Sequence, residues 1–137
     1  MASAARKVSA SQRAPRRGAR VLHILGESLE CFAESGFERV TYDELIARSK
    51  VSRGSFYWYF PSKEALYEAV LDTCVTGYVA RLEDQFAKTD PKDHIVKRLL
   101  DTSLADFNAN RSQYRILLRP PPYAGVVKKL AQWNDDV

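Results

Sequence analysis

Long apolar runs are missing from this sequence. No stretch of about 18 apolar residues occurs, so no segment is expected to span a membrane. Sulfur is scarce, with two cysteines, Cys31 and Cys74, and one methionine. The cysteines lie far apart, and neither has a second Cys or a His at metal-ligand spacing, so neither a disulfide framework nor a zinc site fits. Both are expected as buried, reduced thiols on apolar helix faces, with redox sensing as the competing reading. Paired carboxylates, a metal-ligating cluster and a nucleophile beside a base are also missing. The sequence therefore gives an enzyme little support, and no cofactor or metal is expected.

Acidic residues are absent from the first 20 positions, which hold six basic ones: Arg6, Lys7, Arg13, Arg16, Arg17 and Arg20. The remainder carries fifteen basic against seventeen acidic residues, so the net charge of +4 belongs to the tail. Ala, Ser, Pro and Gly fill the rest of that segment, and residues 1–17 are expected to be disordered. Two readings of the tail stay open, an arm following DNA phosphates or entering a minor groove, and a solubilising leader. No apolar segment follows the basic residues as a secretory signal would require, so a cytoplasmic location is expected.

Two helix starts lie eleven positions apart between Val40 and Leu66. Thr41 and Glu44 form a capping box, with Val40 and Leu45 as its hydrophobic staple. The pattern repeats with Ser52 as cap, Val51 before it and Phe56 at the fourth helical position. A short helix from Tyr42 to Arg48, a turn through Ser49, Lys50 and Val51, and a second helix from Arg53 to about Tyr59 follow. This is helix-turn-helix spacing, in which one helix steadies the next as it projects into a DNA major groove.

The composition of the second helix bears on whether it is buried or displayed. A helical period puts Phe56 and Phe60 on one side with Val51, and Arg53, Gly54, Tyr57 and Trp58 on the other. Aromatic runs more often fill a core. Five consecutive aromatic positions, however, cannot all face one side. Arg53 supplies a fork suited to guanine or phosphate, and Ser52 and Ser55 supply hydroxyls. Gly54 permits close approach to the backbone, Tyr57 and Trp58 bring flat surfaces, and Lys63 is placed to neutralise a phosphate.

The stretch resembles the DNA-binding domain of the tetracycline-repressor (TetR) family of bacterial transcription regulators. Gly36-Phe37, Thr41, Val51-Ser52-Arg53-Gly54, Tyr57-Trp58-Tyr59-Phe60, Ser62-Lys63-Glu64 and Leu66 carry the likeness, which extends back through Ile24-Leu25 and Cys31-Phe32-Ala33-Glu34. It covers roughly residues 18 to 78. It implies a three-helix, homeodomain-like unit whose third helix reads DNA, and no catalysis. It also implies that Thr41, Ser52, Arg53, Gly54, Tyr57, Trp58, Tyr59 and Lys63 occupy positions that touch the duplex. Ser49 and Lys50 stand where the family carries an Ala-Gly pair, and a left-handed Lys50 would cost roughly 1–2 kcal/mol. Glu27, Ser28 and Ile46 also depart from the small residues usual at their positions.

The rest of the chain reads as helix. Val21, Ile24, Leu25, Ser28, Cys31 and Phe32 mark a first helix from about Arg17 to Glu34, ended by Gly36. His23 falls beside its apolar stripe and is expected at or near the surface rather than as a ligand. Ser62 caps a long helix to about Ala87, on the order of 37 Å, which must leave the reader unit and enter a second body. In the resembling family such a helix links the DNA domain to a ligand-sensing domain. Asp90-Pro91 opens a helix to about Asn108, Asn110 and Gln113 open another, and Pro120 to Pro122 stop it. A last helix could run from Val126 to Trp133. Pro121-Pro122-Tyr123 is read as a loop, with a proline-rich ligand core as the weaker alternative.

The expected fold is all-α: a basic tail (1–17), a helix-turn-helix domain (18–78) and a partial helical ligand-binding or dimerisation region (79–137). Family relatives continue for several more helices, so a small-molecule inducer pocket is expected to be incomplete. Apolar stripes between residues 66 and 118 have few partners in the chain, and self-association is expected. The function implied is a sequence-specific transcriptional regulator, a repressor acting as a dimer on an inverted repeat in double-stranded DNA. The alternative is a shortened interaction module that draws a full-length regulator into inactive heterodimers.

Overall fold

Apolar residues recur at helical spacing through most of the chain, and every regular element among the described residues is an α-helix. The computed structural model describes residues 10–88, 90, 94–121 and 124–135. Its helices are α1 (Ala10–Ser35), α2 (Tyr42–Ser49), α3 (Arg53–Tyr59), α4 (Lys63–Ala87), α5 (Ile95–Ala109), α6 (Arg111–Leu118) and α7 (Ala124–Asp135). None of them is long and apolar enough to cross a membrane.

Local chemistry sets the boundaries. Gly36 closes α1 with φ +83°, its N–H donating to the Phe32 carbonyl at 2.8 Å; the left-handed region suits a residue without Cβ. At α2 both halves of the capping box form, Glu44 N–H to Thr41 Oγ1 at 3.2 Å and Thr41 N–H to Glu44 Oε2 at 3.1 Å. Ser52 Oγ accepts the Ser55 N–H at 3.3 Å, and Ser62 Oγ accepts the Ala65 N–H at 3.1 Å. Lys50 ends α2 with φ 56° and ψ 25°, the left-handed conformation anticipated from its place in the turn.

Two starts differ from expectation. α1 begins at Ala10, so residues 10–17 continue that helix instead of forming a disordered tail. Ala, Gln and Arg in this segment are good helix formers, and lengthening a seated helix avoids the cost of a new nucleus. Residues 1–9 lie outside the described residues. α5 begins at Ile95 after His94, while the expected start at Asp90-Pro91 falls partly on residues 91–93, outside the described residues. Pro122 and Tyr123 of the proline-rich segment also lie outside them.

The core forms where α1, α2, α3 and the first half of α4 converge. Ile24, Phe32, Leu45, Phe56, Leu66, Tyr67, Leu71 and Cys74 are buried there. Phe32, Phe37 and Tyr67 pack ring to ring, with centroids 5.1–6.0 Å apart. Ser28, on the α1 stripe, is buried with its hydroxyl unpaired. Cys31 and Cys74 are both buried free thiols, and burial raises both pKa values, that of Cys74 to about 11. His23 stays exposed, its Nε2 2.8 Å from the Ser49 carbonyl oxygen.

Beyond the core, α6 lies against α1 and α4 with Ile116 buried, and Ser112 donates to Glu30 at 2.9 Å. Arg81 of α4 pairs with Asp106 of α5 and donates to Gln113 of α6 at 3.1 Å. Tyr114 donates to the second Asp106 oxygen at 2.8 Å. Val126 seats α7 on α4, where Lys129 pairs with Asp72. By contrast α5 buries none of its residues, and Val96, Leu100 and Leu104 face solvent.

Candidate nucleic-acid interface

The seven residues of α3 divide sharply by face. Phe56 is 0 % exposed and Phe60, just past the helix, 9 %, so this side holds α3 in the core. On the opposite side Tyr57 is 43 % and Trp58 66 % exposed, and Arg53 and Gly54 are exposed as well. An added Cβ on Gly54 would meet nothing within 4 Å, so the backbone there is open to a large partner. A helix of this length spans about 10 Å, or about three base-pair steps.

Tyr42 of α2 supports this display from behind. Its ring meets Phe56 edge-on at 5.1 Å and Tyr57 at 4.7 Å, and its hydroxyl donates to the Phe60 carbonyl. Burial, with the neighbouring Tyr57 and Glu64, pushes its pKa up to about 12. Ser49, Arg48 and His23 fix α2 to α1. Arg48 bridges Glu27 at 3.1 Å and Glu34 at 3.3 Å, and those carboxylates hold its guanidinium firmly charged. Ser49 is buried, its hydroxyl donating to the Ile46 carbonyl at 3.0 Å.

The other residues singled out from the sequence take different places. Ser52 and Ser55 lie at the start of α3 and share a hydroxyl hydrogen bond of 2.9 Å. Thr41 is exposed, its hydroxyl engaged in the capping box. Tyr59 is half-buried against the core, edge-on to Trp58. Lys63 is already engaged: its ammonium donates to the carbonyls of Phe37 at 2.8 Å and Val40 at 3.2 Å, and lies 4.4 Å from the Phe37 ring centroid. An ammonium has three donors, so one remains for an outside acceptor.

Two neighbours of this face escaped sequence reasoning. Asp43, in the first turn of α2, accepts from Arg53 at 2.6 Å, and both side chains are well exposed. The Arg53 pKa is raised by that hydrogen bond. Arg17 of α1 lies over the Trp58 ring, 5.3 Å from its centroid. No spacing rule links positions across separate helices. The usable signals were that Asp43 and Arg53 each lie in the first turn of a helix, and that Arg17 belongs to the basic segment.

The face thus offers guanidinium, hydroxyl and flat aromatic groups. Among the described residues no group of three or more His, Cys, Asp or Glu could hold a metal ion. Residues 24–70 match the family model for bacterial regulatory proteins of the tetR family. The HTH-type transcriptional regulator YerO of Bacillus subtilis is 28 % identical over 98 residues, covering 69 % of this chain and 34 % of YerO. The A-factor receptor protein of Streptomyces griseus is 37 % identical over 49 residues, 36 % of this chain and 18 % of that protein. The chain therefore spans only a minor part of these relatives' length. A TetR-like transcriptional regulator from Rhodococcus sp. RHA1 superposes with a TM-score of 0.69 over 85 % of this chain and 64 % of its own, at 22 % identity, which speaks to fold alone. Residues 24–70, with the helix-turn-helix of α2 and α3 among them, are thus the tetR-family segment of this chain.

Proposed function

We propose that the chain is a sequence-specific transcriptional repressor that lays α3 in a DNA major groove. The observation that carries this reading is the exposed Arg53, Tyr57 and Trp58 on a helix whose Phe56 is wholly buried. The groove, about 12 Å wide, admits a helix, and Arg53 can take guanine O6 and N7 together. Tyr57 and Trp58 lie against sugars, methyl groups or base edges. Ser52, Ser55, Thr41 and the open backbone at Gly54 meet phosphates on either side. Tyr59 works mainly as a seat for Trp58, and the spare donor of Lys63 serves one phosphate.

In this reading residues 18–78 form the DNA-reading unit, and residues 79–137 form a region for small-molecule sensing and pairing. The A-factor receptor among the similar proteins is a receptor by name, and supports a sensing role here. A second copy would place two α3 helices on an inverted repeat. The unburied α5 also favours a second reading, in which the chain pairs with another regulator and withdraws it from DNA. The setting of either activity is the cytoplasm.

Selection of duplexes from a random pool, followed by binding titrations of Arg53→Ala, tests the proposal. We expect an enriched inverted repeat, and an R53A protein that loses about tenfold or more on that repeat with little change on random DNA. A pool that yields no enriched sequence would sink the DNA-reading function. Equal losses on both DNAs would remove Arg53 from base reading.

A further inference from the structure

We infer that a cleft between the C-terminal end of α1 and α6 is a binding site for an organic anion with an apolar body, such as a fatty acid. The cleft has a volume of about 860 Å³, within the range of ligand pockets, about 300–1,000 Å³. Its apolar wall comes from Phe32, Phe37 and Tyr67 on one side and Phe107, Ile116 and Leu118 on the other. Along its rim run Arg111, Arg115 and Arg119, spaced so that all three lie on one side of α6 and its end. The acid lining the cleft, Glu34, is already held by Arg48 at 3.3 Å. The rim is therefore strongly positive.

An arginine row on a solvated face needs no cleft beside it, and arginines serving the end of α1 would donate to its last carbonyls. Among the described residues neither Arg115 nor Arg119 is bonded to a carboxylate or a carbonyl. Like charges one turn apart repel, and a carboxylate between them removes that repulsion while its oxygens accept from a guanidinium fork. The aromatic wall then takes the ligand's carbon chain, which a small inorganic anion would leave unfilled. The site lies about 28 Å along α1 from Arg17 and Trp58, so it stands whether or not α3 reads DNA.

Isothermal titration calorimetry with dodecanoate, dodecanol and inorganic phosphate tests the site on the full chain. We expect one dodecanoate per chain, with dodecanol and phosphate each at least tenfold weaker. The exposed double variant R115Q/R119Q should lose dodecanoate affinity by tenfold or more and keep that for dodecanol. A second variant, L100Q/L104Q on the exposed face of α5, should bind dodecanoate as the parent does. Unchanged binding by R115Q/R119Q, equal affinity for the alcohol, or loss of binding in L100Q/L104Q would each overturn the site. DNA titrations of the same proteins report separately on the proposed function.

Discussion

Arg53 is held by Asp43 in the free chain, and in the proposed complex a duplex would have to take it from that carboxylate. An ion pair between well-exposed side chains is weak, so the exchange is feasible, and the carboxylate also repels phosphate. Asp43→Asn should therefore raise affinity for DNA by about threefold or more, most at low salt, in anisotropy titrations. No change would mean that Arg53 never leaves Asp43 or never meets DNA. Lys50 offers a second test at this scale. Its left-handed backbone costs about 1–2 kcal/mol, and glycine forfeits about 0.5–1 kcal/mol of chain entropy, so Lys50→Gly should stabilise by about 0.5–1 kcal/mol in urea unfolding. The strained turn at Lys50 could be foreseen because turn chemistry is local. The hold of Asp43 on Arg53 could not, because it depends on how two helices meet.

Helices with strong end signals were legible for the same reason. Thr41, Ser52 and Ser62 each cap the helix that follows them, and the buried and open sides of α3 follow from a period of 3.6. The start of α1 was obscured, because a basic Ala- and Ser-rich segment satisfies both a disordered tail and a helix seated further along. The role of Tyr42 was also hidden: its ring could have faced solvent, and only assembly puts it behind α3. That placement carries a pH dependence. The hydroxyls of Tyr42 and Tyr67 ionise at about 12 in the folded chain, chiefly because of burial, against about 10 when unfolded. A raised pKa means their contribution is whole below pH 10 and is lost as pH climbs through about 12. Unfolding midpoints should fall over that interval, and Tyr42→Phe should shrink the fall. An identical alkaline profile for Tyr42→Phe would remove Tyr42 as a source.

Across the whole molecule the apolar surface is unevenly spent. Where α1, α2, α3 and the first half of α4 converge, most large side chains are enclosed, Leu22, Tyr57 and Trp58 apart, whereas α5 leaves Val96, Leu100 and Leu104 in water and the second half of α4 leaves Val79 and Phe86. Water-facing groups of this size and continuity favour association. Sedimentation should show mass rising with concentration, and Leu100→Glu with Leu104→Glu should lower it; a mass that stays at one chain at every concentration would contradict this. The ammonium of Lys63 has a different reach. It gathers the two carbonyls of the link between α1 and α2 and lies against the Phe37 ring, at the point where α4 starts. Acylating that single amine would discharge it, release both oxygens and leave the aromatic ring without its cover. The helix presented to solvent would then be loosened from the rear, by lysine chemistry that never touches its outer side.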